Sequence, residues 1–199
     1  MEINFKKRYI PIYTLIVAIA HHIILNINTI YKDIIKNVWP IDAIILVLTL
    51  LFLSIFNRQQ KQRIALGIIY KKRPFEKAYK YIKKDLRICK EDIKIKELEK
   101  ITNDSFYIKY YKPVRENTIV ESKNSEYCVI RDIVFTIFII VLVIAILTII
   151  WPSYFYKELI ASIVGYIIGV IACRMKAKDF VSQIVIEGIC KKEENKKWV

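Results

Sequence analysis

From Ile133 to Trp151 the chain carries no charge, and Thr136 and Thr148 are the only polar residues in a run of Ile, Val, Leu, Phe and Ala. As a helix rising 1.5 Å per residue, that run reaches about 28 Å, close to the thickness of a bilayer's hydrocarbon core. Its many β-branched residues would favour strands in water. In lipid, an open strand leaves its backbone polar groups without partners, so a membrane-spanning helix is expected.

Three further stretches are predominantly apolar, at about 9–30, 41–56 and 154–173. The expected fold is therefore an all-α integral membrane protein with four transmembrane helices. Residues 1–57 read as an N-terminal transmembrane hairpin and 58–130 as a basic, mainly helical cytosolic domain. Residues 131–174 read as a second hairpin, with spans at about 133–151 and 154–173, and 175–199 as a charged cytosolic tail. Hydrophobic residues make up 55% of the chain, more than a soluble domain usually carries, although the formal net charge is +14. The two facts are compatible because the charges and the apolar runs occupy different stretches.

That separation also orients the chain. Of the 33 Lys and Arg, 3 precede the first span, 2 lie between the first and second, 20 lie from Arg58 to Arg131, 1 sits between the third and fourth, and 7 follow Cys173. Basic residues favour the cytosolic side, which places both termini and the middle domain in the cytosol of a cell with a plasma (inner) membrane. Trp39, Trp151, Tyr154 and Tyr156 fit an outer aromatic belt. Lys6, Lys7 and Arg8 ahead of Ala18-Ile19-Ala20 have the pattern of a cleavable signal. Apolar residues continue through Ile27, however, so the segment is read as a retained span.

In the middle domain, Phe75, Ala78, Ile82, Leu86, Cys89 and Ile93 recur at spacings of three and four, the signature of an amphipathic helix, and Pro74 suits its start. Asn57 to Tyr70 is read as prolonging the second span. Ser105 to Tyr111 and Thr118 to Val120 mix aromatic and β-branched residues and offer the arms of a short β-hairpin. Phe106, Tyr107, Tyr110 and Tyr111 with Lys109 and Lys112 suit base stacking, but core or interfacial packing is the commoner use of such aromatics. Nucleic acid is not expected as a partner.

Three groups of residues are candidates for function. Thr14, His22 and Asn26 fall on one face of the first span with His21 and Asn28 nearby, a polar stripe that must face protein or water. It reads either as a pore lining or as interhelical hydrogen bonding. Ala161, Gly165, Gly169 and Cys173 form a small-residue ridge at spacing four, which lets another helix approach closely. The partner helix is either in the same chain or in a second copy, so a homo-oligomer is expected. Lys71, Lys72, Arg73, Lys77, Lys80, Lys83, Lys84 and Arg87 form a basic run beside the membrane, suited to anionic lipid headgroups or to a phosphate-bearing ligand.

No metal or cofactor is expected, since adjacent histidines diverge by about 100° around a helix and the four cysteines form no CxxC pair. All four are read as free thiols. The nucleotide-binding, GxSxG and HExxH signatures are absent from the sequence, and no enzymatic activity is expected. Asp42 is read as capping the second helix, and Arg131 with Asp132 as a local ion pair or the end of a gate.

In general layout the chain looks like the small multi-pass membrane effectors of bacterial immunity and stress systems, a likeness of layout carried by no motif. The expected function is that of an oligomeric membrane effector or channel-like protein controlled through the basic domain. The alternative is a non-conducting anchor that recruits a cytosolic protein partner.

Overall fold

The computed structural model describes Val47, Leu51 and residues 54–67, 73–83, 85, 98–150 and 152–196. Among these residues all regular structure is helical and there is no strand. The helices are α1 (Arg58–Ala65), α2 (Ala78–Ile82) entered by a 3-10 turn at Phe75–Lys77, α3 (Asn103–Phe106), a π-helical turn (Tyr107–Tyr111), α4 (Lys112–Val114), α5 (Thr118–Ile150) and α6 (Pro152–Lys196). Two of them are long and apolar enough to cross a membrane: α5, and α6 through its stretch Phe155–Gly188. Val47, Leu51, Ser54 and Ile55 of the expected second span are helical. Apart from these and Phe56, the first two expected spans lie outside the described residues.

The chain divides into two compact units, Met1–Ala65 with Arg131–Val170 and Leu66–Ile130 with Ile171–Val199. In the first unit, Asn57 does not prolong the preceding helix. Phe56 sits in a bend and Asn57 is non-helical. The Asn57 Oδ1 accepts from the Gln60 N–H, and the Gln60 Oε1 accepts from the Asn57 N–H, both at 2.9 Å. This reciprocal capping box satisfies two donors and starts α1 afresh. α1 stops at Leu66 and Gly67, where Gly67 takes a φ of 91°, the left-handed conformation that closes helices.

The core of this unit is Phe135 and Ile139 with Phe56, Ile64 and Phe138 packed against them. The Phe56 and Phe135 rings lie 5.2 Å apart, and Phe138 and Tyr166 5.6 Å. The Tyr166 hydroxyl donates to the Ile64 carbonyl at 2.6 Å, one of the last carbonyls of α1 and so without a partner inside that helix.

In the second unit the expected hairpin is replaced by helix. Thr102 caps α3, its Oγ1 accepting from the Ser105 N–H at 3.3 Å. Phe106 and Tyr110 are buried while Ile108 between them is exposed, a helical and not an alternating pattern. Pro113 has no N–H for the Lys109 carbonyl and its ring would crowd that group in an α-helix. The chain ahead of it takes the wider π register instead. Asn117 then starts α5, its Oδ1 accepting from the N–H groups of Ile119 at 2.8 Å and Val120 at 3.4 Å.

The residues after Cys173, expected as a tail, continue α6 to Lys196 and bury Ala177, Phe180, Val181, Ile184 and Val185, one apolar face of a helix. Phe180 meets Phe75 at 6.0 Å, Tyr111 at 5.7 Å and Tyr127 at 6.0 Å, and Phe75 stacks on Phe106 at 4.7 Å. The start of the expected amphipathic helix is thereby real, with Ala78 and Ile82 buried, but α2 ends at Ile82. Leu86, Cys89 and Ile93 lie outside the described residues.

Candidate functional site

The small-residue ridge divides into two kinds of position. A Cβ built on Gly169 would lie 2.9 Å from the Cγ2 of Val134 on α5, closer than real Cβ contacts come. Gly169 is thus the point of close approach between α5 and α6, as small residues at helix contacts allow. Cys173 is fully buried. Ala161 is exposed, and no described atom lies within 4 Å of a Cβ on Gly165. Among the described residues the ridge therefore meets α5 at Gly169 and is open at Gly165 and Ala161.

Most polar groups in the apolar stretches are satisfied nearby. Thr136 and Thr148 donate to the carbonyls of Asp132 at 3.0 Å and Ile144 at 2.7 Å, one turn back in their own helix. Arg131, buried to 4% exposure, sends Nε and Nη2 to the Asp132 Oδ1 at 2.8 and 2.7 Å, the local ion pair among the two readings of that dipeptide. Glu158 is different. It is 8% exposed, and its Oε2 has no hydrogen-bonding partner among the described residues. The sequence reading passed over it.

Of the basic run, Arg73, Lys77, Lys80 and Lys83 are described. The Arg73 backbone N–H donates to Glu76 Oε2 at 3.1 Å, which anchors the start of the 3-10 turn. Phe75 points the turn into the aromatic cluster. Lys80 and Lys83 are exposed, with the Lys83 Nζ 5.9 Å from the Tyr79 ring centroid, and Lys77 is half-buried. Packing on one side and exposed ammonium groups on the other is what an anion-binding surface needs. Lys71, Lys72, Lys84 and Arg87 lie outside the described residues, as do Thr14, His21, His22, Asn26 and Asn28.

Two polar clasps that the sequence reading did not anticipate hold α5 to α6 in the second unit. Glu126 accepts from Lys123 at 3.0 Å and from Lys176 at 2.7 Å. Glu187 accepts from Asn117 at 2.8 Å through Oε2 and from Gln183 at 2.8 Å through Oε1. Hydrogen bonds from Lys176 and Lys123 hold the Glu126 carboxyl below its ordinary range, and that from Glu126 holds the Lys176 ammonium above its own.

Cys128 and Cys173 are buried, and neither is in a disulfide. Among the described residues no group of three or more His, Cys, Asp or Glu is placed to hold a metal ion. Compared with known proteins, the chain matches no family model, no curated protein and no solved structure.

Proposed function

We propose that the chain is an integral plasma-membrane protein that crosses the bilayer four times with both termini in the cytosol. It assembles with copies of itself and acts as a membrane effector or channel-like protein controlled through its basic domain. The observation that carries the membrane part is the apolar surface left uncovered on the two long helices. Leu142, Ile146 and Ile149 on α5, and Ile160, Ile163, Val164, Ile167 and Ile168 on α6, are all exposed, Ile149 to 82%. These positions recur at helical spacing, so each helix carries a continuous apolar row. Water tolerates contiguous apolar patches of only a few hundred Å² on a monomer, whereas lipid tails solvate such rows at no penalty.

The basic run supports control from the cytosolic side. Its exposed lysines suit an anionic headgroup or a phosphate-bearing ligand, either of which would act next to the spans. The polar stripe of the first span, Thr14, His21, His22, Asn26 and Asn28, is the proposed water-facing element.

The test is ion flux through liposomes containing the full chain, alone and with added nucleotides, with the mass of the protein–detergent complex measured alongside. Flux from a multimer is expected, and changing His22 and Asn26 to Leu is expected to abolish it while leaving insertion intact. Liposomes that stay sealed under every condition would overturn conduction and leave the anchor reading.

A further inference from the structure

Glu158 is a buried carboxyl whose Oε2 has no hydrogen-bond partner among the described residues. We infer that it is a binding site for a small monovalent cation on α6 of the α5–α6 hairpin. The inference rests on the membrane placement of that hairpin and not on conduction.

Three observations lead there. First, Glu158 is more than nine-tenths buried and its Oε2 meets no donor among the described residues. Thr136, Thr148 and Tyr166, polar side chains of the same unit, each have a named partner. A buried carboxylate oxygen without one is explained by an ion or water that completes it. Second, the nearest basic side chain in sequence is turned to other use. Lys157 is exposed and sets its Nζ 5.9 Å from the Tyr156 ring centroid. Third, Glu158 lies beyond the first turn of α6, which begins at Pro152, so the partial positive charge of the helix start does little to balance it.

The chemistry of the ligand follows from the charge. One carboxylate balances one positive charge, and its two oxygens replace part of the hydration shell of an alkali ion. A divalent ion calls for several anionic ligands, and the described residues place no such cluster. Carboxylates at membrane depth typically mark ion paths.

The experiment uses the full chain in vesicles of phosphatidylethanolamine and phosphatidylglycerol, treated with the lipid-soluble reagent dicyclohexylcarbodiimide. The adduct is located by peptide mass mapping. Reaction is run in lithium, sodium or potassium chloride and compared with choline chloride at equal ionic strength, choline being too large for the site. The expected result is an adduct on Glu158 that forms roughly tenfold more slowly in at least one alkali salt once the ion is at about ten times its dissociation constant. Glu158→Gln is expected to remove the adduct, and the wild-type map alone locates it if that variant fails to insert. An adduct that is absent from Glu158, or that forms equally fast in choline and in all three alkali salts, would overturn the cation site. Equal labelling of Glu158 by a water-soluble carbodiimide would instead overturn the membrane placement.

Discussion

A single methyl group distinguishes the two glycines of the α6 ridge. Gly169→Ala forces its new Cβ to within 2.9 Å of the Val134 side chain, and Val134 is buried, so the contact must open or Val134 must leave its rotamer. Overpacking of this kind costs about 1–3 kcal/mol. Adding Val134→Ala should recover part of that loss, with a coupling of roughly 0.5–3 kcal/mol for residues in contact. Gly165→Ala meets no described atom and should leave the hairpin unchanged or stabilise it by about 0.5–1 kcal/mol through helix propensity. Denaturant unfolding of the detergent-solubilised protein reads these variants and Val134→Ala alone, and the prediction fails if both glycines respond alike. Glu126 and Lys176 are a gentler case, since their side chains are 35% and 39% exposed. Such a pair is worth roughly 0.2–1 kcal/mol and weakens in salt. Glu126, with its carboxyl held low, contributes fully above its ordinary value of 4.5 and loses that contribution as pH falls through its lower folded value. Lys176, held high, contributes fully below 10.5 and loses it as pH rises through its raised value. Glu126→Gln should therefore be less stable than wild type at neutral pH, and the difference should vanish in acid once the wild-type carboxyl is protonated.

Helix starts govern the elements, and Asn117 is the most instructive of them. Its Oδ1 caps α5 at Ile119 and Val120 while its Nδ2 donates to Glu187 on α6. Asn117→Ala removes both and should cost about 0.5–2 kcal/mol for the cap alone. Asn117→Asp keeps an acceptor for the cap but sets a carboxylate against Glu187. Hydrogen exchange separates the two roles: the Ile119 and Val120 amides should lose protection in Asn117→Ala and keep it in Asn117→Asp, which should still be less stable overall. If both variants expose those amides equally, the cap is not what holds the start of α5. The same residue explains why this part of the fold was hard to read from sequence. Thr118-Ile119-Val120 is a β-branched triplet that suggests a strand, but β propensity is weak beside a cap and a buried Val120. Pro113 would break an α-helix, and the chain accommodates it by taking the π register over Tyr107–Tyr111 just ahead of it. By contrast, the helical nature of Ile133 to Ile150 was legible because lipid or a packed interior leaves an uncharged run of that length few alternatives, while the spacing of the ridge did not distinguish Gly169, which approaches Val134, from Gly165. Glu158 escaped because it follows Lys157 near the start of α6, where a charged pair is ordinary in sequence. Its meaning comes from burial, which only the packed structure supplies.

At the scale of the whole molecule, the exposed apolar rows of α5 and α6 need a solvent that is not water, and lipid and a second copy of the chain both qualify. The two leave different signatures. Lipid solvates Ile160, Ile163, Val164 and Ile167 whatever stands at position 165, so a larger side chain there changes nothing. A second copy packed on the open half of the ridge depends on Gly165, because only a small residue lets two backbones come close. Gly165→Leu, whose Cβ meets no described atom of its own chain within 4 Å, is therefore expected to leave helicity and insertion intact while reducing the assembly to single chains in detergent. If conduction belongs to the assembly, flux should fall in step with mass. Gly169→Leu serves as the contrast: it strikes Val134 within the chain and should lower the unfolding midpoint directly. A wild-type protein that stays monomeric at every detergent-to-protein ratio would rule out self-assembly through Gly165 and leave lipid as the covering of both rows.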